Sequence, residues 1–395
     1  MPAREPLFTA RFIRLWSFTF ITFLTAFQIF PTMPFRIMEL GGSESQAGLF
    51  LAMYTWASAI AAPLTGTIAD HVGRRRLLVV AGVAFIVFSS SYAVLTWFPA
   101  LLVAACIHGI FWSGLLSAGG AIVTEIIPPS RRTEGLGYYG MAPTAAIAIA
   151  PLLGLWIYHR FDWTWLCVSM IAFSVVILLL ALQVRGGQER SSHSFPPLRE
   201  LVDWHVIITA SALFVHAFGY GGITSYVAVL AVRNDIDPPS IFFVVFAIFV
   251  ILTRIFVSPI GDRYGPKVIL YPSILLVPVA TAMLALTDTR GEMIAAAVLF
   301  GLGFGGLFPA FMTYVLTLSD PKRHGSTFGS MLFAMDTGIG FGSIGTGFLI
   351  EHYGFAAAFG VATVISVTSL PLFLMTSRLL IHPSRPARVA GKDTS

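Results

Sequence analysis

Long apolar runs separated by short polar turns extend through almost the whole chain. Twelve of these runs are near the length of about 20 residues that an α-helix needs to cross a bilayer. The pattern predicts an all-α membrane protein with transmembrane spans at 12–36, 46–69, 77–97, 100–126, 134–158, 164–184, 205–232, 240–261, 268–287, 292–318, 326–350 and 355–380. Residues 185–203 are polar and contain Gly, Ser and Pro, which is typical of a linker.

The two halves of this pattern repeat each other at a constant offset. Gly73 and Gly265 are 192 positions apart. The same offset relates Asp70 to Asp262, Gly109 to Gly301, Gly114 to Gly306, Pro129 to Pro321, Arg131 to Arg323 and Gly137 to Gly329. A register shared by glycine, proline and charged residues indicates two homologous six-helix bundles. We therefore expect an N-terminal bundle over 1–184, a linker over 185–203, a C-terminal bundle over 204–380 and a basic tail over 381–395.

Composition and charge support a membrane protein. The chain is 56% hydrophobic and 11% charged, whereas soluble proteins carry roughly 25% charged residues. Of the Lys and Arg residues, nineteen lie on the side of the two termini and four on the other, while Arg254 lies inside a span. This bias predicts cytoplasmic termini, and it explains the basic pI without nucleic-acid binding. The compact length and short outer loops favour a bacterial inner membrane.

The cysteines argue against a disulfide-linked or zinc-binding protein, and the N-terminal run argues against a cleaved signal peptide. Cys106 and Cys167 both lie in apolar runs, so they predict neither a disulfide framework nor a zinc site. The first apolar run is too long for a secretory signal peptide and has no small-residue cleavage site after it. We expect it to be an uncleaved first helix.

A distinctive turn joins the second and third spans, with the sequence Gly66-Thr-Ile-Ala-Asp70-His-Val-Gly73-Arg74-Arg75-Arg76. Gly73 permits a tight reversal, and Asp262-Arg263-Tyr-Gly265 is a weaker copy in the second half. Together with the two six-helix halves, this turn resembles the major facilitator superfamily over nearly the whole chain. The resemblance implies a conformational latch, in which Asp70 faces the N-terminal end of the eleventh span near 325–327. Arg74 or Arg131 would be a further partner, and the latch would favour the outward-open state.

Within that superfamily, the fifth span resembles the twelve-helix drug/proton antiporters. Gly137, Ala146, Ala150, Pro151 and Gly154 follow the exporters' pattern Gly-x8-Gly-x3-Gly-Pro-x2-Gly, with two alanines in place of glycines. These small residues would allow close packing against the eighth span. The resemblance implies proton-coupled export of small organic molecules.

One position departs from that branch. Ala105 stands where the family often carries an arginine that is linked to proton transfer. This departure leaves an uptake symporter or an uncoupled facilitator as the alternative function.

Four ionisable residues lie at membrane depth, where they are costly and by default functional: His108, His216, Arg254 and Asp336. The helical rise places Arg254 about 12 Å and Asp336 about 15 Å above the same membrane surface. We therefore predict that they pair, with Asp336 binding a proton or a cationic group and Arg254 as its counter-ion. A permanent structural ion pair is the alternative. His108 could take part in proton coupling, or it could be a packing residue.

Aromatic and polar side chains in the spans that would line a central cavity supply candidate substrate contacts. They are Gln28, Tyr54, Trp56, Trp112, Tyr139, His216, Tyr220, Tyr226, Phe304 and Phe308. Such a cavity suits amphipathic or aromatic compounds.

The remaining motifs define the class of protein. The sequence contains no Gly-x-x-x-x-Gly-Lys-[Ser/Thr] loop that would bind ATP, and no catalytic or metal-ligating cluster. We predict a monomeric secondary transporter rather than an enzyme, working by alternating access in the lipid bilayer. Its partners would be a small-molecule substrate and protons, with no cofactor or metal.

Overall fold

The computed structural model describes residues 6–184, 204–318 and 324–380, and this part of the chain is almost entirely helical. Its helices correspond to the twelve predicted spans and are numbered α1 to α12. They are α1 Ala10–Glu39, α2 Glu44–Val72, α3 Arg74–Val94, α4 Phe98–Ile126, α5 Arg132–Arg160, α6 Trp163–Gln183, α7 Ser211–Arg233, α8 Ile241–Leu252 with its continuation to 264, α9 Lys267–Ala285, α10 Arg290–Leu318, α11 at 324–353 and α12 at 355–380. The predicted linker and tail lie outside the described residues.

Length and hydropathy support this count of twelve. Within the described ranges, ten segments are long and apolar enough to cross a membrane. One of them, Gly329–Ser377, contains both α11 and α12, which a kink at Gly354 separates. The shorter apolar segment Ile241–Val257 belongs to α8.

Glycine turns set the direction of the chain at three helix ends. Gly73, Gly265 and Gly354 have φ angles of 101°, 92° and 81°, a region that residues with a Cβ rarely occupy. The reversal predicted at Gly73 is therefore confirmed. We call the end of the bundle with the Gly73 and Gly265 turns the turn end. The opposite end, where Ser43 caps α2 through a capping box with Gln46, is the cap end.

The internal repeat is visible in the packing of the helices. A Cβ built on Gly109 of α4 would lie 2.1 Å from the carbonyl oxygen of Tyr54 in α2. A Cβ built on Gly301 of α10 would lie 2.9 Å from the carbonyl oxygen of Phe246 in α8. Both partners obey the same offset as the glycines, so each half brings its second and fourth helices together at an equivalent point.

The two halves meet along α2 and α11 and along α5 and α8. At the cap end, α2 and α11 come so close that glycines form the contact. A Cβ on Gly48 would lie 2.5 Å from the Ser343 carbonyl oxygen, and one on Gly347 would lie 2.5 Å from the Glu44 carbonyl oxygen. The backbones of the two helices therefore touch there.

The contacts described between α2 and α11 run from the cap end to the middle of the two helices. The helices run antiparallel, and the last of these contacts joins Ser58 to Asp336. Closer to the turn end, a Cβ on Gly66 of α2 or on Gly329 of α11 would have no atom within 4 Å. The two halves are therefore closed against each other at the cap end.

Candidate functional site

An intramembrane carboxylate lies at the contact between the two halves, in the middle of α11. Asp336 of α11 accepts a hydrogen bond of 2.9 Å at Oδ2 from the hydroxyl of Ser58 in α2. Close by, the indole Nε1 of Trp56 donates to the carbonyl oxygen of Thr337 at 3.3 Å. Both bonds join the N-terminal half to the C-terminal half. The surroundings of Asp336 therefore depend on whether α2 and α11 are in contact.

The glycines around Asp336 hold α11 between two neighbours. A Cβ on Gly338 or Gly342 would meet the backbone of α7, at 2.3 Å and 1.9 Å from the carbonyl oxygens of Phe214 and Phe218. A Cβ on Gly340 would instead lie 2.3 Å from the indole nitrogen of Trp56 in α2. Small residues here allow tight helix packing.

The predicted ion pair between Asp336 and Arg254 is not formed. Within the described residues, Arg254 makes no ion pair, and its buried Nε has no hydrogen-bond acceptor. The helical rise predicts that both residues lie near the middle of the membrane. It does not predict on which side of the bundle each residue lies. Helix α8 lies beside α5, whereas α11 lies beside α2. The two residues therefore lie on helices that belong to different interfaces between the halves.

Backbone and side-chain hydrogen bonds close the cap end. The Tyr226 hydroxyl donates to the carbonyl oxygen of Glu44, and the Ser343 hydroxyl donates to that of Gly48 at 3.0 Å. Tyr226 was predicted to line the central cavity, but its hydroxyl instead joins α7 to α2 at the closed cap end. Sequence reasoning missed Ser58 and Ser343, because isolated serines in apolar spans carry no distinguishing signal.

Two aromatic clusters occupy equivalent places in the two halves. In the N-terminal half, the ring of Tyr54 lies 5.0 Å from that of His108 and 6.2 Å from that of Trp112. In the C-terminal half, the corresponding residues are Phe246, Phe300 and Phe304, and Tyr220 stacks on Phe304 at 4.3 Å. Trp112 and Phe304 are thus equivalent members of the two clusters, and Tyr220 extends the second one.

The two membrane histidines have packing environments. His108 Nδ1 shares a hydrogen bond of 3.1 Å with the Tyr92 hydroxyl, and the ring is surrounded by aromatic side chains. His216 Nδ1 donates to the Ala212 carbonyl oxygen one turn earlier. Both residues are fully buried. The geometry favours the packing alternative for His108 over the coupling role.

Gln28 and the fifth-span signature pack inside the N-terminal half. Gln28 accepts a hydrogen bond from Ser169 of α6 at 3.0 Å and donates to the Leu24 carbonyl oxygen. A Cβ on Gly154 would lie 2.6 Å from the Gln28 carbonyl oxygen.

Small residues of α5 therefore pack on α1, and α5 as a whole also lies beside α8 of the other half. Ala146 and Ala150 form a buried cluster with Leu24 of α1. Pro151 lies next to them, within α5, and is also buried. Gly137, at the start of the signature, has open space around it.

The predicted latch is described only in part, since the side chains of Asp70 and Asp262 lie outside the described residues. Arg74 forms an ion pair with Glu125 of α4. Arg131 pairs with Glu134 at 2.7 Å, and the Arg263 guanidinium lies 5.3 Å from the ring centre of Tyr264. The role of Asp70 in the latch stays a prediction.

No group of three or more His, Cys, Asp or Glu side chains that could hold a metal occurs within the described ranges. A cavity of about 440 Å³ at the cap end is lined by Arg36, Glu39, Tyr158 and Trp163, among others. This cavity lies within the N-terminal half and is separate from Asp336.

Comparison with known proteins identifies the family. A family model described as Major Facilitator Superfamily matches residues 15–239 and 209–394. The multidrug export protein EmrB of Escherichia coli (strain K12) is 28% identical over 151 residues, which span 38% of this chain and only 30% of EmrB. The quinolone resistance protein NorA of Staphylococcus aureus (strain COL) is 23% identical over 327 residues, which span 79% of this chain and 84% of NorA.

A solved structure shows the same fold. The crystal structure of the nucleoside transporter NupG superposes with a TM-score of 0.71 at 14% identity, over 95% of this chain and 100% of that one. At this identity the likeness concerns the fold alone. Because the family model covers almost the whole chain, the protein belongs to the Major Facilitator Superfamily and is a multi-pass membrane transporter rather than an enzyme.

Proposed function

We propose that this transporter exports small amphipathic or aromatic molecules in exchange for protons, and that Asp336 carries the proton. The observation that carries the proposal is the hydrogen bond from Ser58 to Asp336, placed at the contact between the halves. A carboxylate at this point experiences a different environment in each state of an alternating-access cycle. EmrB is named for multidrug export and NorA for quinolone resistance, which supports export as the direction of transport.

The sign of the coupling follows from the cost of an enclosed charge. When the cap end is closed, a charged Asp336 has lost water and retains one described hydroxyl donor, which is unfavourable. A proton on Asp336 removes that charge, so proton binding favours closure of the cap end. With the termini in the cytoplasm, the cap end faces outward, and a proton taken up there would be released through the cleft at the turn end.

The two clusters around Trp112 and Phe304 provide the apolar surface for a substrate in this cleft. Substrate binding from the cytoplasm and proton release from Asp336 would together favour the outward-open state. In that state the Asp70 latch would hold the turn end closed, and the halves would rock about a site near the midplane.

The test uses purified protein in liposomes with an internal pH dye and an imposed pH gradient. Lipophilic cations, aromatic acids and sugars are added one at a time to the wild type, to Asp336→Asn and to Asp288→Asn. Asp288 is an exposed aspartate outside the cleft and serves as the matched control. We expect substrate-triggered proton flux in the wild type and the control, with a loss of roughly tenfold or more in Asp336→Asn.

Two results would contradict the proposal. Substrate flux without proton movement would identify an uncoupled facilitator. Proton and substrate movement in the same direction would identify an uptake symporter.

A further inference from the structure

Arg254 is a membrane arginine without a protein partner. Its Nε is enclosed and has no acceptor, and it forms no ion pair within the described residues. An arginine at this depth costs several kcal/mol unless it is paired or hydrated, and by default it marks a functional site. Among the described residues no side chain supplies an anion to Arg254, so a partner from outside the protein is the simplest way to satisfy it.

The backbone around Arg254 is also unusual. Residues Thr253–Val257 form a π-helical turn within α8, and such turns occur frequently at functional sites. The internal repeat places Ala62 at the equivalent position of α2, where the helix is regular and has Pro63 beside it. The charge and the π-helical turn are therefore present in one half only, so the repeat itself does not require them.

The neighbours of Arg254 along α8 divide into two faces. Val250 and Thr253 face α10, within 3.2 Å of a Cβ built on Gly305. Ile248, Ile251, Leu252, Ile255 and Phe256 are exposed. Arg254 itself is half-buried, and the helix that carries it also packs beside α5 of the other half.

The depth of Arg254 agrees with a transport site. Ten residues separate it from Tyr264 at the end of α8, which corresponds to about 15 Å of helix. Arg254 therefore lies near the middle of the bundle, where transporters of this architecture bind their substrates. Phe246, two turns earlier on the same helix, belongs to the C-terminal aromatic cluster.

We infer that Arg254 is the anion subsite of the transport cleft, and that the preferred substrates are aromatic or amphipathic organic anions. A guanidinium offers a planar pair of N–H donors that matches a carboxylate, sulfonate or phosphate. The aromatic clusters would bind the apolar body of the same molecule. This inference rests on the proposed transport function and specifies its substrate class.

A binding measurement tests this inference independently of transport. Thermal unfolding of the detergent-solubilised protein is followed with naphthalene-2-carboxylate and with its primary amide, which has the same shape without the charge. The variants are Arg254→Gln, Arg254→Lys and, as a control, Arg290→Gln at the exposed start of α10. From the unfolding shifts, we expect the wild type and the control to bind the carboxylate roughly tenfold more tightly than the amide.

Arg254→Gln should remove this preference and leave the affinity for the amide within about twofold, while Arg254→Lys should retain part of it. Equal affinities for both compounds in the wild type, or an unchanged preference in Arg254→Gln, would overturn the inference. An equal loss of affinity for both compounds would also overturn it, because it would mean that Arg254 acts only through structure.

Transport of the same two compounds separates this inference from the proposed function. Proton-coupled flux that depends on Asp336 but shows no preference for the carboxylate would leave the proposed function standing and refute the anion subsite. Carboxylate binding that depends on Arg254, without proton-coupled flux of any compound, would support the anion subsite and refute the proposed function.

Discussion

At the scale of residues, position decides what a hydroxyl group does. Ser58 and Ser89 are both buried serines in the N-terminal half. Ser58 donates across the halves to Asp336, whereas Ser89 pairs with Ser174 at 3.2 Å within its own half. Loss of the Ser58 hydroxyl leaves Asp336 without its described donor, and loss of the Ser89 hydroxyl removes a buried hydrogen bond, although Ser174 still donates to the Met170 carbonyl oxygen at 2.7 Å. Each change costs about 1–3 kcal/mol. Only the bond of Ser58 would be made and broken during transport.

The substitution Ser58→Ala should therefore change coupling, whereas Ser89→Ala should change only stability. We expect both variants to unfold at a lower temperature, by an amount that corresponds to about 1–3 kcal/mol. Only Ser58→Ala should shift the pH dependence of transport, since it removes the described donor to Asp336. Identical pH profiles for the two variants in proteoliposomes would show that the hydrogen bond has no role in coupling.

His108 offers a second test at this scale. Its Tyr92 hydrogen bond and surrounding rings predict that His108→Leu destabilises the protein by about 1–3 kcal/mol, without altering the pH dependence of transport. Thermal unfolding and proton flux measured on the same preparation check both statements. Loss of proton coupling in a His108→Leu variant that remains folded would show that His108 takes part in proton coupling.

At the scale of elements, glycines decide which helices touch. Gly109 and Gly120 lie on the same helix, α4, and look equivalent in the sequence. A Cβ on Gly109 would lie 2.1 Å from the Tyr54 carbonyl oxygen, whereas a Cβ on Gly120 would meet nothing within 4 Å. The first is a contact point between α2 and α4, and the second is not.

We accordingly expect Gly109→Ala and Gly120→Ala to have opposite effects on stability. Gly109→Ala should destabilise the protein by about 1–3 kcal/mol through overpacking. Gly120→Ala should stabilise it by about 0.5–1 kcal/mol, because alanine favours the helix over glycine. The unfolding temperatures of the two variants, measured in one detergent, test this expectation. A loss of stability of similar size in both variants would contradict the predicted difference.

The elements were largely predictable from the sequence, because twelve apolar runs of membrane-spanning length leave little freedom. The helix bounds agree with the predicted spans to within a few residues, except that the first span divides into Ala10–Ile29 and Met33–Glu39 and the seventh into Trp204–Thr209 and α7. Rotation of the helices about their axes was not predictable. For that reason the depths of Arg254 and Asp336 suggested a pair that the structure does not form.

At the scale of the whole molecule, the closure of the cap end is the feature that transport must reverse. The backbone N–H of Ser45 in α2 donates to the carboxylate of Glu351 in α11 at 3.1 Å. Toward the turn end, a Cβ on Gly66 of α2 or on Gly329 of α11 would meet no atom within 4 Å. We therefore expect cysteines at positions 45 and 351 to be cross-linked easily, and cysteines at positions 66 and 329 to be cross-linked poorly.

Cysteine pairs can check this arrangement, in a background where alanine replaces Cys106 and Cys167. A short, cleavable bifunctional thiol reagent should bridge Ser45→Cys with Glu351→Cys rapidly and abolish transport, which cleavage should restore. The pair Gly66→Cys with Gly329→Cys should be bridged much more slowly in the absence of a pH gradient. Equal rates for both pairs would contradict the expected difference between the two ends of α2 and α11.

The position of Ser58 along α2 has an electrical consequence. Fourteen residues separate Ser58 from Glu44 and fourteen separate it from Val72, so each arm is about 21 Å long. A proton that reaches Asp336 from either face has therefore crossed close to half of the membrane voltage, which is worth about 1 kcal/mol per 100 mV. Voltage alone would then bias the loading of this carboxylate, and a cell with no pH difference across its membrane could still drive the cycle.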